Sequence, residues 1–188
     1  MNLPNKLTLF RIILIPFFVF FLLTDFVPYS DYIALGIFAL ASLTDLLDGK
    51  IARKYNLVTN FGKFMDPIAD KLLVAAALIA FIEKGVMPSW MVIILLSREF
   101  IISGFRLVAV DTGIVLAAGW SGKFKTATQM VMCCFLIVHL GDKFFAIKVV
   151  EQVLMYTSLV LSVYSMMFFS FGFGSAGCFL MISSIVFS

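Results

Sequence analysis

Six apolar runs follow one another along this 188-residue chain, and they constrain its fold more than any other feature. A soluble domain of this length could not bury so much apolar surface, since 62% of the residues are hydrophobic and 13% are charged. Backbone polar groups find no water inside a bilayer, so a spanning segment must be a helix unless it belongs to a closed barrel. The alternating pattern of a membrane barrel is absent. We therefore predict an all-α, polytopic membrane protein whose six transmembrane helices cover residues 8–23, 32–47, 66–82, 90–107, 126–140 and 149–171.

The positions of the cations predict how the chain is oriented. Eleven lysines and arginines lie near the N-terminus, near the loop from the second to the third run or near the loop from the fourth to the fifth, whereas only Lys84, Lys143 and Lys148 lie near the other loops. Because cations are enriched on the cytosolic side, the N-terminus and the even-numbered loops are predicted to face the cytosol. The net charge of +3 is too small to indicate a nucleic-acid partner.

No linker or repeat divides the chain, so residues 1–188 are predicted to form one integral membrane domain. Its end is unusual, because no charged residue follows Glu151 and an apolar tail covers about residues 171–188. The tail includes GFGSAG, which matches a dinucleotide-binding pattern at residues 172–177. That pattern requires a preceding strand and a following helix within a βαβ unit. We interpret this segment instead as a partly helical, lipid-facing tail.

Four aspartates interrupt the apolar pattern where the second run ends and the third begins. Asp45 and Asp48 lie ~60° apart on one helix face, and Asp66 and Asp70 lie ~40° apart on the next helix. A short turn separates the two helices, so they are predicted to be antiparallel neighbours whose carboxylates converge at the cytosolic end. The second helix is predicted to continue past its apolar part into DLLDGKIARK, and Pro67 is expected in the first turn of the third helix. Ionisable residues in a membrane segment are costly and generally functional. The spacing therefore predicts a functional site there.

Carboxylate oxygens without histidine or cysteine favour Mg²⁺ or Mn²⁺ over zinc. Two such ions, bridged by carboxylates, can hold a diphosphate or a phosphoryl group. Gly49 and Ala52 are small enough for a ligand to approach closely, and Arg53 offers a fork of donors to phosphate. The alternative is a solvated loop with incidental salt bridges.

The full pattern D-x2-D-G-x2-A-R-x8-G-x3-D-x3-D resembles the signature of the CDP-alcohol phosphotransferase family. Its eight specified positions are occupied by Asp45, Asp48, Gly49, Ala52, Arg53, Gly62, Asp66 and Asp70. The resemblance implies a six-helix membrane enzyme, usually a homodimer. Such an enzyme transfers a substituted phosphoryl group from a CDP-linked donor to an alcohol and releases CMP.

Within this family, residues 1–130 most resemble the bacterial phosphatidylglycerophosphate synthases. The likeness includes NLPNKLTLFRI, SREFIISGFR and GWSGKFKTATQM. It implies CDP-diacylglycerol as donor, sn-glycerol 3-phosphate as acceptor and a place among the lipids of the bacterial cytoplasmic membrane. The tail departs from the polar, often basic C-terminal segment that is usual in the family.

The resemblance also implies roles for individual residues. Two divalent ions, Mg²⁺ or Mn²⁺, would be held by Asp45, Asp48, Asp66 and Asp70, and Asp70 would also be the general base. CDP-diacylglycerol would be bound by Asn5, Thr8, Gly49, Ala52, Arg53 and Gly62. The dianionic acceptor would be bound by the cations Lys63, Arg98, Arg106, Lys123 and Lys125.

Alternatives remain open for four of these residues and for the reaction. Arg106 and Lys123 could instead be simple anchors at the membrane interface. Thr8 could instead cap the first helix, and Arg98 could pair with the neighbouring Glu99. The acceptor could be serine, inositol phosphate or phosphatidylglycerol. A cation transporter is a different class of function, but its carboxylates would be expected near the middle of the membrane.

Overall fold

The computed structural model describes the backbone of residues 3–24, 27–54, 60–111, 120–138 and 145–174. It describes the side-chain surroundings of residues 7–24, 27–44, 68–69, 71–105, 124–138 and 146–167. The described backbone forms six helices and no strand, which confirms the all-α prediction. The helices are α1 (Leu3–Leu23), α2 (Ser30–Lys54), α3 (Asn60–Glu83), α4 (Ser89–Asp111), α5 (Trp120–Val138) and α6 (Phe145–Gly174).

The helices extend beyond the apolar runs that predicted them. As expected, α2 continues past its apolar part to Lys54. Our prediction that Pro67 lies in the first turn of the third helix is wrong, because α3 already begins at Asn60. An apolar run shows which part of a helix contacts lipid or other helices. The helical hydrogen bonds continue into the polar residues on either side of that run, so the helix is longer than the run. At the other end of the chain, α6 continues to Gly174 and includes the first residues of the GFGSAG segment.

The helices pack around one apolar core. Helix α1 contacts α2 and α3, α2 contacts α3 and α5, and α3 contacts α4 and α5. Helix α6 packs against α5 and α4. The ring centroids of Phe18 and Phe38 lie 5.6 Å apart and join α1 to α2, and Leu78 and Phe81 of α3 are fully buried in the same core. Helix α3 therefore contacts every other helix that carries a predicted site residue, namely α1, α2, α4 and α5.

One ion pair fixes the relative direction of α2 and α3. Lys84, just after α3, lies with its Nζ 2.6 Å from the Oδ1 of Asp31 in the first turn of α2. The start of α2 therefore lies beside the end of α3, so the two contacting helices run antiparallel as predicted. Their other ends, which carry the four aspartates, lie at the opposite end of the bundle.

A glycine turn ends α3 and leads the chain into α4. The N–H of Gly85 donates to the carbonyl of Ile82, and the N–H of Val86 donates to that of Phe81. This is a Schellman motif, in which the residue after the cap adopts the left-handed conformation. The φ of Gly85 is +69°, a region that costs a residue with a Cβ about 1–2 kcal/mol.

Gly85→Ala should therefore lower the free energy of unfolding by about 1–2 kcal/mol. The added Cβ meets no atom within 4 Å, so the backbone conformation alone should cause the loss. Gly36→Ala is the matched control, because Gly36 lies inside α2 and its added Cβ also meets open space. That control should be neutral or stabilising by up to about 1 kcal/mol. Denaturant unfolding of both purified variants checks this, and equal stabilities would contradict the role of the turn.

Among the described helices, one is long and apolar enough to cross a membrane by length and composition, over Ala146–Met167. Shorter apolar segments occupy Leu7–Leu23, Ser30–Thr44 and Phe124–Val138. The six helices thus occupy the predicted places in the chain, while their crossing of a membrane six times stays a prediction.

Candidate active site

The aspartate pattern lies on two facing helix ends. Asp45 and Asp48 are in the second half of α2, and Asp66 and Asp70 are in the first half of α3. At 1.5 Å per residue, Asp45 lies about 22 Å from the start of α2 and Asp70 about 20 Å from the end of α3. Because Asp31 and Lys84 join those two ends, the backbones of Asp45 and Asp70 lie at nearly the same level.

The predicted convergence of the carboxylates stays a prediction, because their side chains lie outside the described set. The same holds for most of the other predicted site residues, which are Asn5, Gly49, Ala52, Arg53, Gly62, Lys63, Arg106 and Lys123. No group of three or more His, Cys, Asp or Glu that could hold a metal ion occurs among the described residues. Of the predicted site residues, the described set includes the side chains of Thr8, Arg98 and Lys125.

Thr8 and Arg11 are two buried polar residues on the same face of α1. Thr8 is 1% exposed and Arg11 is fully buried, and three-residue spacing places them on the same helix face. The alternative that Thr8 caps α1 is wrong, because the helix begins at Leu3. Arg11 lies about 18 Å from the end of α1, close to the level of Asp45 and Asp70. Arg11 is one of the eleven cations that predict the orientation of the chain, but its place inside an apolar run also indicates an internal role.

A second polar site lies between α4, α5 and α6, and we call it the cation cluster: Arg98, Glu99, Lys125 and Ser165. The Nζ of Lys125 pairs with the Oε1 of Glu99, and a guanidinium nitrogen of Arg98 lies 3.6 Å from the same oxygen. The other terminal nitrogen of Arg98 donates to the Oγ of Ser165 at 2.5 Å. Arg98 therefore pairs with Glu99, as our alternative for it predicted, but Lys125 shares that carboxylate.

The cation cluster is buried and carries more positive than negative charge. Lys125 is fully buried and Arg98 is 7% exposed, yet the cluster holds two cations and one carboxylate. Burying charge is costly unless it is paired and hydrogen-bonded. Two cations that share one carboxylate are suited to contact an anionic ligand as well. Ser165 was not predicted, because nothing in the sequence shows that it faces Arg98.

The cation cluster lies at nearly the same height in the bundle as the aspartates, and α3 lies next to it. Helix α4 begins just after the turn that ends α3, so heights along the two helices can be compared from that turn. Glu99 lies about 15 Å from the start of α4, and Asp70 lies about 20 Å from the end of α3. Their heights therefore differ by about 5 Å. Helix α3, which carries Asp70, contacts both α4 and α5, the helices that carry Arg98 and Lys125. The cations and the aspartate pattern thus belong to one region of the bundle.

The buried face of α6 is more polar than its sequence suggests. Its buried positions are Glu151, Met155, Ser158, Ser162 and Ser165, at alternating spacings of four and three residues. On the adjoining α5, Gln129 is also buried, one turn beyond Lys125. The serine spacing was a signal that sequence reasoning missed.

Comparison with known proteins gives a consistent result. The family model described as CDP-alcohol phosphatidyltransferase matches residues 1–164. The chain is 48% identical over 149 residues to the CDP-diacylglycerol–glycerol-3-phosphate 3-phosphatidyltransferase of Bacillus subtilis strain 168, covering 73% of this chain and 77% of that protein. The proteins of the same name from Haemophilus influenzae and Escherichia coli K12 are 39% and 43% identical. Those matches cover 88% and 72% of this chain, and 89% and 76% of the two relatives.

The aspartate pattern, its placement on two antiparallel helices and the family match over residues 1–164 agree, and they confirm the predicted resemblance. The chain belongs to the CDP-alcohol phosphatidyltransferase family.

Proposed function

We propose that this protein transfers the phosphatidyl group of CDP-diacylglycerol to sn-glycerol 3-phosphate, giving phosphatidylglycerophosphate and CMP. The observation that carries the proposal is the buried, positively charged cluster beside the helix that presents Asp66 and Asp70. A phosphorylated acceptor needs such cations, whereas serine has less use for them. Relatives that are 36–48% identical over most of the chain bear the name of this activity.

Two divalent ions fit the donor set of the aspartate pattern. Four carboxylates on two contacting antiparallel helices, at nearly one level, offer the hard oxygen ligands that Mg²⁺ and Mn²⁺ prefer. We propose that Asp45, Asp48, Asp66 and Asp70 hold the ions. When bound, the ions would neutralise the diphosphate of the donor and the charge that develops on the departing CMP.

In the proposed reaction, the carboxylate of Asp70 takes the proton from the acceptor hydroxyl. The acceptor oxygen forms a bond to the phosphorus that carries diacylglycerol, and the bond from that phosphorus to the bridging oxygen of CMP breaks. CMP leaves with the bonding electron pair. A carboxylate that lies beside cations is a weak base, so its position should matter more than its proton affinity.

The donor and the acceptor would approach Asp70 from different helices. The cytidine diphosphate part of the donor would contact α1, α2 and α3 through Asn5, Thr8, Gly49, Ala52, Arg53 and Gly62. Thr8 is buried on α1, which contacts α2 and α3, and this supports its place in that set. The acceptor phosphate would bind the cation cluster through Arg98 and Lys125, with Lys63, Arg106 and Lys123 nearby.

We propose that all six helices cross the bacterial cytoplasmic membrane and that residues 1–188 form one domain. Every helix exposes large apolar side chains, as lipid contact requires; examples are Phe17, Leu43, Ile79, Ile93, Phe124 and Val160. The N-terminus and the aspartates would face the cytosol, and the end joined by Asp31 and Lys84 would face outwards. The acyl chains of the donor would remain in the bilayer. The family resemblance supports a homodimer.

An acceptor panel tests the proposed function. Purified protein given CDP-diacylglycerol and Mg²⁺ or Mn²⁺ should release CMP with sn-glycerol 3-phosphate, and not with serine, inositol phosphate or phosphatidylglycerol. Removing the metal with a chelator should abolish CMP release, and adding either ion back should restore it. Release of CMP only with one of the other acceptors would refute the choice of substrate, and full activity after chelation would refute the role of the metals.

A further inference from the structure

Three buried side chains near the cation cluster carry hydrogen-bonding atoms that the proposed reaction does not use. They are Gln129 on α5 and Ser158 and Ser162 on α6, and we call them the neutral donor group. Gln129 is 3% exposed and both serines are fully buried. Within the described part of the chain, the side-chain nitrogen of Gln129 and the two serine hydroxyls have no hydrogen-bond partner.

The neutral donor group lies next to the cation cluster on two helices, α5 and α6. Gln129 is one turn, about 6 Å, beyond Lys125 on the buried face of α5. Ser162 is about one turn before Ser165, whose hydroxyl accepts from Arg98. Because α5 and α6 pack against each other, Gln129 and Ser162 border the place where the acceptor phosphate is proposed to bind, and Ser158 lies about one turn further along α6.

Packing alone does not explain this group. Small serines allow membrane helices to approach closely, which accounts for the size of Ser158 and Ser162. Close helix packing does not account for Gln129, because glutamine is large. At a buried position, methionine or leucine would fill the same space without burying an amide group. A buried amide nitrogen without a partner is costly, so its retention indicates a polar ligand that binds beside the cations.

We propose that the neutral donor group binds the free hydroxyl of a polyol phosphate acceptor, with Gln129 as the principal contact. This inference rests on the proposed function. The phosphate of sn-glycerol 3-phosphate would bind the cation cluster and its primary hydroxyl would face Asp70, which leaves the secondary hydroxyl to be recognised. The neutral donor group would thus select an acceptor that carries a hydroxyl between its phosphate and its nucleophile.

An acceptor that lacks this hydroxyl tests the proposal. 3-Hydroxypropyl phosphate keeps the phosphate and the nucleophilic hydroxyl but has hydrogen where sn-glycerol 3-phosphate has its secondary hydroxyl. For the unmodified protein, kcat/KM should favour sn-glycerol 3-phosphate by roughly 10- to 100-fold. In Gln129→Met the preference should fall to within about threefold of unity, with kcat/KM for the analogue nearly unchanged. The control Gln152→Met makes the same change at an exposed position of α6 and should keep the full preference.

Ser162→Ala gives a second, smaller change and should reduce the preference severalfold, with Ser97→Ala at an exposed position of α4 as its control. Equal use of the two acceptors by the unmodified protein would overturn this inference while the proposed function stands. Variants that lose activity equally with both acceptors would also overturn it, because they would show a structural role. If the unmodified protein releases CMP with neither phosphate but with another alcohol, the proposed function fails and this inference fails with it.

Discussion

Asp70→Asn should lower kcat for CMP release by about 10²–10⁴-fold, the range that a positioned general base contributes. The proposed loss has two causes, because asparagine cannot take the proton of the acceptor hydroxyl and is a weaker ligand for a divalent ion. The backbone of Asp70 lies inside α3, and asparagine has nearly the same size, so the helix should persist. Initial rates at saturating concentrations of both substrates, measured with a matched amount of folded protein, provide the test.

Asp31→Asn is the control for this variant. Asp31 is also an aspartate on a helix that carries the pattern, but it pairs with Lys84 at the opposite end of the bundle. Its replacement should leave kcat within about twofold, since a partly exposed ion pair contributes little. Full activity of Asp70→Asn with folding preserved would remove the assignment of the base. A comparable loss in both variants would show that the effect is not specific to the site.

The elements of the fold could be predicted from the sequence, because six long apolar runs separated by polar segments leave the backbone few alternatives to helices. The prediction that α2 and α3 are antiparallel neighbours also succeeded, since a short connection between two long helices permits little else. The start of α3 was placed too late because the expectation relied on Pro67. A proline is well tolerated in the first turn of a helix, but its presence does not show that the helix begins there.

The partners within the cation cluster could not be predicted in the same way. Arg98 and Lys125 were proposed as independent contacts to the acceptor, whereas the structure joins them through Glu99. Arg98 and Ser165 are 67 positions apart, and their hydrogen bond depends on how α6 rotates against α4. Every helix here is apolar on most faces, so the pattern of hydrophobic residues gives little information about that rotation.

Lys125→Met should lower kcat/KM for sn-glycerol 3-phosphate by about 100-fold or more, while the KM for CDP-diacylglycerol stays nearly unchanged. A hydrogen bond to a charged group contributes about 1.5–3 kcal/mol, and the loss of a buried partner adds to this. Steady-state rates with each substrate varied in turn measure the effect. Lys148→Met replaces an exposed lysine of α6 and should leave both KM values unchanged.

The double variant Lys125→Met with Glu99→Gln separates two causes of that loss. Lys125 is paired with Glu99, so its removal alone leaves a carboxylate in a mostly buried place without its closest cation. Replacing both members of a buried ion pair is often tolerated, whereas breaking the pair is strongly destabilising. If Lys125 served only to neutralise Glu99, the double variant would recover thermal stability and acceptor affinity together. We expect stability to recover while the KM for the acceptor stays high, because no neutral pair replaces the positive charge that the phosphate needs.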